Sequence, residues 1–127
     1  MKFLCFAYEE ERVLNALTHD EWLALRQQTL DYVQLLQASG VLIEAKPLQS
    51  ATTAATVRVR DGRSSITDGP FAETKEQIGG FFLIEVADRD EAVRVAERWP
   101  SARFGAIEVR PIEDGLNTDR RYRSGAS

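Results

Sequence analysis

No surplus of basic charge marks this sequence: sixteen Lys and Arg stand against twenty Asp and Glu, a formal net charge of −4. A broad nucleic-acid face needs many cations to displace counterions from phosphates, so nucleic acid is not the expected partner. Cysteine is scarce as well. With Cys5 alone no internal disulfide can form, and with one histidine no Cys/His spacing suggests zinc. A reducing cytoplasm is the expected setting. Apolar runs are short, none approaching the ~20 residues that span a bilayer, so no membrane association is expected. No metal or nucleotide motif is present, and no cofactor is expected.

What is there fits one domain. At 127 residues and 43% hydrophobic, such a chain buries roughly two-thirds of its unfolded surface on folding. The start, MKFLCFAYEEE, reaches acids by Glu9 without a small-residue cleavage site, so KFLCFAY reads as a buried first strand and not as a leader. After a loop, Thr18-His19-Asp20-Glu21 has the capping-box form, in which the threonine hydroxyl and the glutamate three positions on satisfy each other's backbone donors. A helix starts there. Trp22, Leu25, Thr29, Tyr32, Val33 and Leu36 form its apolar stripe, and Ser39-Gly40 stops it.

Val41 to Leu48 reads as an edge strand, because Pro47 cannot donate to a ladder. Residues 52 to 67 alternate on both sides of Asp61-Gly62 and read as a hairpin. Gly80 to Val86 is the strongest strand signal, and Asp88 to Glu91 caps a second helix that stops at Trp99-Pro100. Phe104 to Pro111 is the last strand. The expected fold class is therefore α+β: a ferredoxin-like split β-α-β with an inserted hairpin, occupying 1–112, followed by a loose polar tail, 113–127. The tail carries a short basic cluster, Arg120-Arg121-Tyr122-Arg123, too small and isolated to serve as a nucleic-acid patch.

Both helices need one sheet face, which leaves the other open. With Phe82, Ile84, Val86, Ile107 and Val109 turned toward the helices, the open face carries Phe81, Leu83, Glu85, Ala106, Glu108 and Arg110, joined from the hairpin by Arg58. Phe81 and Leu83 in water would form an unusual patch, so a homodimer stacking these faces is expected. Two readings of Arg58, Glu85, Glu108 and Arg110 stand side by side: cross-strand ion pairs on a solvated sheet, or charges enclosed between protomers to serve a ligand. Tyr8, at the end of the first strand, is placed to line the same cleft. Cys5 reads as a small buried hydrophobe.

The stretch TDGPFAETKEQIGGFF is turn chemistry at its start: Asp68 is expected to accept hydrogen bonds from backbone donors two residues on, Gly69 to tolerate unusual dihedrals, and Pro70 to fix the exit. Lys75 and its acidic neighbours follow, and Gly79-Gly80 permits close approach of backbone or ligand at the head of the next strand. Asp68-Gly69-Pro70-Phe71 with Glu73-Thr74-Lys75-Glu76, set in VRVRDGRSSITDGPFAETKEQIGGFFLIEVADRDEA, resembles the DGPF-domain branch of the YCII-related family over about residues 1 to 112.

The resemblance implies a dimeric α+β barrel of ferredoxin-like subunits in a small bacterial protein, functionally associated with a sigma factor. It implies no established activity. Proposed enzymes among YCII-related proteins use a histidine-aspartate pair, for which Asp68 is the matching acid. The chain's one histidine, His19, lies inside the capping box, where no sequence signal supplies the orienting partner that acid/base work needs. Two functions follow as expectations: a dimeric module that binds a small polar metabolite or acts in regulation, or a cofactor-independent enzyme. In the second, Asp68 handles the proton and Lys75, Arg58 or Arg110 offsets developing negative charge.

Overall fold

The computed structural model describes residues 1–116, and the basic cluster expected in the tail lies outside them. Strands β1 (Lys2–Glu9), β2 (Leu42–Pro47), β5 (Gln77–Glu85) and β6 (Gly105–Pro111) form one sheet in the order β2-β5-β1-β6, with every neighbouring pair antiparallel. Helices α2 (His19–Ala38) and α3 (Arg89–Glu97) form the crossovers, and β3 (Ala55–Arg60) with β4 (Arg63–Asp68) forms a separate two-stranded sheet. The protein is thus α+β with antiparallel sheets and few helices, consistent with the ferredoxin-like class. The edge place of β2 agrees with Pro47, whose missing N–H would break an inner ladder.

Local chemistry sets the element ends. Thr18 accepts from the Glu21 amide at 3.1 Å, while Glu21 Oε1 accepts from the Thr18 amide at 2.8 Å. The Thr18 amide first, and the Thr18 hydroxyl second, draw the Glu21 carboxyl below its ordinary value. Asp88 caps α3 through the Glu91 amide at 2.9 Å. At the hairpin tip Asp61 and Gly62 both take positive φ, 53° and 74°, the twist that suits two right-handed strands. The segment after β1 is not a plain loop: Glu11–Asn15 forms a short helix, α1. Glu11 ties it across the chain, accepting from the Ala51 amide at 2.7 Å and the Ser50 hydroxyl at 2.9 Å.

The core lies between the helices and one sheet face. Phe3 and Cys5 of β1, Phe82 and Ile84 of β5, and Val86 meet Leu36 of α2, Ala92 of α3 and Trp99. Trp99 stacks on Phe82 with ring centroids 3.9 Å apart, and Tyr32 meets Trp99 edge-on at 5.9 Å while donating to the Val95 carbonyl at 2.8 Å. Burying each large side chain of this set contributes roughly 1.5–3 kcal/mol. Desolvation pushes the Cys5 thiol up to about 12, which leaves no thiolate for chemistry.

The hairpin departs from expectation. Its strands bond only to each other, and Arg58 does not reach the open sheet face; its guanidinium lies over the Phe71 ring, 5.3 Å from the centroid. The base of the hairpin is closed on itself, with Gly69 N–H donating to the Ala54 carbonyl at 2.7 Å and the Thr56 hydroxyl donating to the Gly69 carbonyl at 3.0 Å. The turn expected of Asp68 does not form, because the residue two positions on is Pro70, which has no N–H to give.

Candidate ligand-binding cavity

Register sorts the site residues into separate places. On the open face β1 shows Leu4, Phe6 and Tyr8, flanked by Phe81 and Leu83 of β5 and by Glu108 and Arg110 of β6. Tyr8, Glu108 and Arg110 come together: the phenol donates to Glu108 Oε1 at 3.0 Å, and Arg110 Nη2 donates to Oε2 in a short ion pair. The Arg110 bond first, and the Tyr8 bond second, hold the Glu108 carboxyl below its ordinary value. The same bond to Glu108 raises the Tyr8 phenol. Glu85 stands apart and pairs with the Met1 amino group at 2.9 Å.

The remaining expected residues do not join that cluster. Arg58 is on the hairpin, and Lys75 borders a shallow hollow of about 380 Å³ shared with Glu10, Glu11 and Arg12. Asp68 is exposed at the end of β4. It does not line the hollow or the larger cavity, and its carboxylate has no hydrogen-bond or ion-pair partner among the described residues.

That larger cavity, about 520 Å³, opens on the helix-covered side, between α2 and the paired β2 and β5. Ala7, Gly80 and Phe82 make its floor, and Trp22, Leu25 and Val33 of α2 make one wall. Its size and its mostly apolar lining suit a small organic molecule. Both tryptophans of the chain, Trp22 and Trp99, border it.

Glu9 and Arg26 supply its uncommitted charge. Glu9, half-buried at the end of β1, accepts no hydrogen bond among the described residues. Burial first, and the neighbouring Glu11 charge second, raise its carboxyl above the ordinary value. A register shift between Ala7 and Tyr8 sets Ile78, not Gly79, opposite Tyr8, and Glu9 packs against the glycine: a Cβ on Gly79 would stand 1.8 Å from Glu9 Oε1. At Gly80 a Cβ would meet the Lys46 carbonyl at 2.9 Å. The close approach expected at Gly79-Gly80 is thus made by a carboxylate and by the edge strand. Arg26 stacks over Trp22, 4.7 Å from the ring centroid, with no carboxylate partner among the described residues.

Sequence reasoning passed over Glu9, Arg26 and Trp22 as a set. Its one available signal was the acid closing an apolar strand, with a double glycine in a strand able to pair with it. Among the described residues no group of three or more His, Cys, Asp or Glu is placed to hold a metal, and no helix is long and apolar enough to cross a membrane.

Comparison with known proteins places the chain. The YCII-related domain family matches residues 1–115. The chain belongs to that family. An uncharacterized protein of Rhizobium meliloti (strain 1021) is 35% identical over 114 residues, covering 88% of this chain and 92% of the relative. Among solved structures, 5-chloro-2-hydroxyhydroquinone dehydrochlorinase from Burkholderia phenoliruptrix, in complex with 2,5-dihydroxybenzoquinone, superposes with a TM-score of 0.56 at 20% identity, covering 94% of this chain and all of that one. At that identity the likeness speaks for the fold.

Proposed function

We propose that this YCII-related protein is a homodimeric module that binds a small molecule in the cavity between α2 and the β2–β5 edge. The observation that carries the reading is a preformed hollow of about 520 Å³, walled by aromatic and aliphatic side chains and bordered by Glu9 and Arg26, two charged groups with no ion-pair partner among the described residues. Glu9 is half-buried and Arg26 exposed, so both are open to the polar groups of a bound molecule. The fold hosts a small ligand in the dehydrochlorinase complex, which agrees with a pocket on this scaffold. The dimer would form through the open face, covering Leu4, Phe6 and Leu83. Beside a sigma factor, occupancy of the cavity would be the signal. The enzymatic alternative needs an acid within reach of the bound molecule; Asp68 would serve it only from outside this cavity, and of the two carboxylates that line it, Glu11 is engaged by Ser50 and Ala51 while Glu9 is not.

A metabolite screen by thermal shift, with tryptophan fluorescence as the second readout, tests the binding module. Ligands that stabilise the protein should also perturb Trp22 and Trp99 emission. Thr29→Phe, which fills the cavity from α2, should abolish both effects while the variant stays folded. Ligands that still bind this variant with unchanged affinity would place the site elsewhere.

A further inference from the structure

Four charged side chains border the cavity, and two are already engaged. Glu11 holds the Ser50 hydroxyl and the Ala51 amide, and Lys46 lies 3.9 Å from Glu44. Thr29 spends its hydroxyl on the Leu25 carbonyl at 3.0 Å. Glu9 and Arg26 remain, opposite in sign, bordering one hollow, yet they form no ion pair with each other. Were they close enough to pair, the partly dry cavity would favour it. A molecule long enough to bridge them satisfies both.

The chemistry of each end is specific. Arg26, fixed over Trp22, presents a planar fork suited to a carboxylate. Glu9 is an acceptor backed against Gly79, where no side chain can replace it. The cavity's lining is mostly apolar, with Trp22 and Trp99 bordering it, which favours a ring. We propose that the cavity takes a planar aromatic carboxylate bearing a ring hydroxyl, its carboxylate held by Arg26 and its hydroxyl donating to Glu9. A neutral donor suits Glu9 better than a cation, because the desolvation that raises its carboxyl disfavours a second buried charge as well. This inference rests on the binding-module reading and names the ligand class for it.

The test is calorimetric titration of the full chain with 4-hydroxybenzoate, benzoate, phenol and 4-(aminomethyl)benzoate, with tryptophan quenching to locate the site. The hydroxybenzoate should bind best, with benzoate and phenol each weaker by about tenfold, the effect of one lost charge-assisted hydrogen bond. Glu9→Gln should erase the preference over benzoate, and Arg26→Gln the preference over phenol. The wild-type series stands alone if a variant folds poorly. Equal affinities across the series, or tightest binding of the aminomethyl compound, would overturn the proposed class. If no probe binds while hits from the metabolite screen quench Trp22 and Trp99, the ligand class fails and the module stands; if neither quenches, both fail.

Discussion

Gly79 and Glu9 share one volume: the position a Cβ would take on the glycine is 1.8 Å from the carboxylate oxygen of Glu9. The glycine is therefore a seat for an acid, and its backbone angle does not demand glycine, since its φ is outside the left-handed range. Gly79→Ala should push the Glu9 side chain toward the cavity at a cost of about 1 kcal/mol, because only a flexible chain end has to yield. Ligand affinity should fall with it. The Glu9→Ala/Gly79→Ala double variant should recover most of that stability, which a double-mutant cycle by urea unfolding would show as a coupling between the two positions. Additive losses would mean that the two do not share the space.

The same carboxylate makes stability depend on pH. In the folded state burial raises Glu9, so the folded chain binds its proton more tightly than the unfolded chain does. Stability is then lost as pH rises from the ordinary carboxylate value through the raised folded one, and the loss is complete at neutral pH. Glu9→Gln removes it. The variant should be more stable than wild type at pH 7, on the order of 0.5 kcal/mol, with the gain vanishing below about pH 4. Urea unfolding at the two pH values measures this. A gain of equal size at both would trace the effect to something other than ionisation.

Much of this fold is written locally. Thr18 and Glu21 cap α2 within one turn, Asp61-Gly62 closes a hairpin with its nearest neighbours, and the alternation of Phe82 and Ile84 against Phe81 and Leu83 sorts two sheet faces by a period of two. Such features need no knowledge of distant chain. The cavity is different in kind: Glu9, Arg26 and Gly79 come from β1, α2 and β5, and nothing in the spacing of 9, 26 and 79 announces their convergence. Lys75 and Arg58, near the conspicuous DGPF letters, drew the sequence-based site toward a loop. Asp68 in turn was assigned a backbone partner two residues on that Pro70 cannot supply.

The open face yields a prediction about assembly. Leu83 sits there opposite Leu4, beside Glu44 of the edge strand. In a dimer stacked through this surface Leu83→Glu would bury an unpaired carboxylate at the centre of the contact, a substitution that commonly costs several kcal/mol. Sedimentation should show dimers for wild type and monomers for the variant, with matching circular dichroism, since the helix-side core does not involve this position. A wild type that sediments as a monomer at micromolar concentration would remove the dimer.

Within Asp68-Gly69-Pro70-Phe71 the sensitive letter should be the glycine. Asp68 is exposed and has no partner among the described residues, so Asp68→Asn is expected to change stability by less than about 0.5 kcal/mol and to leave cavity binding as it was. Gly69 takes a φ of 105° and anchors the hairpin base through its amide and carbonyl. A Cβ there meets nothing within 4 Å, so the cost of Gly69→Ala is backbone strain without a clash, about 1–2 kcal/mol. Unfolding curves for the two variants, with titration of a screened ligand, separate the roles. Loss of binding in Asp68→Asn at unchanged stability would instead bring the hairpin acid to the bound molecule and restore it as the proton-handling group.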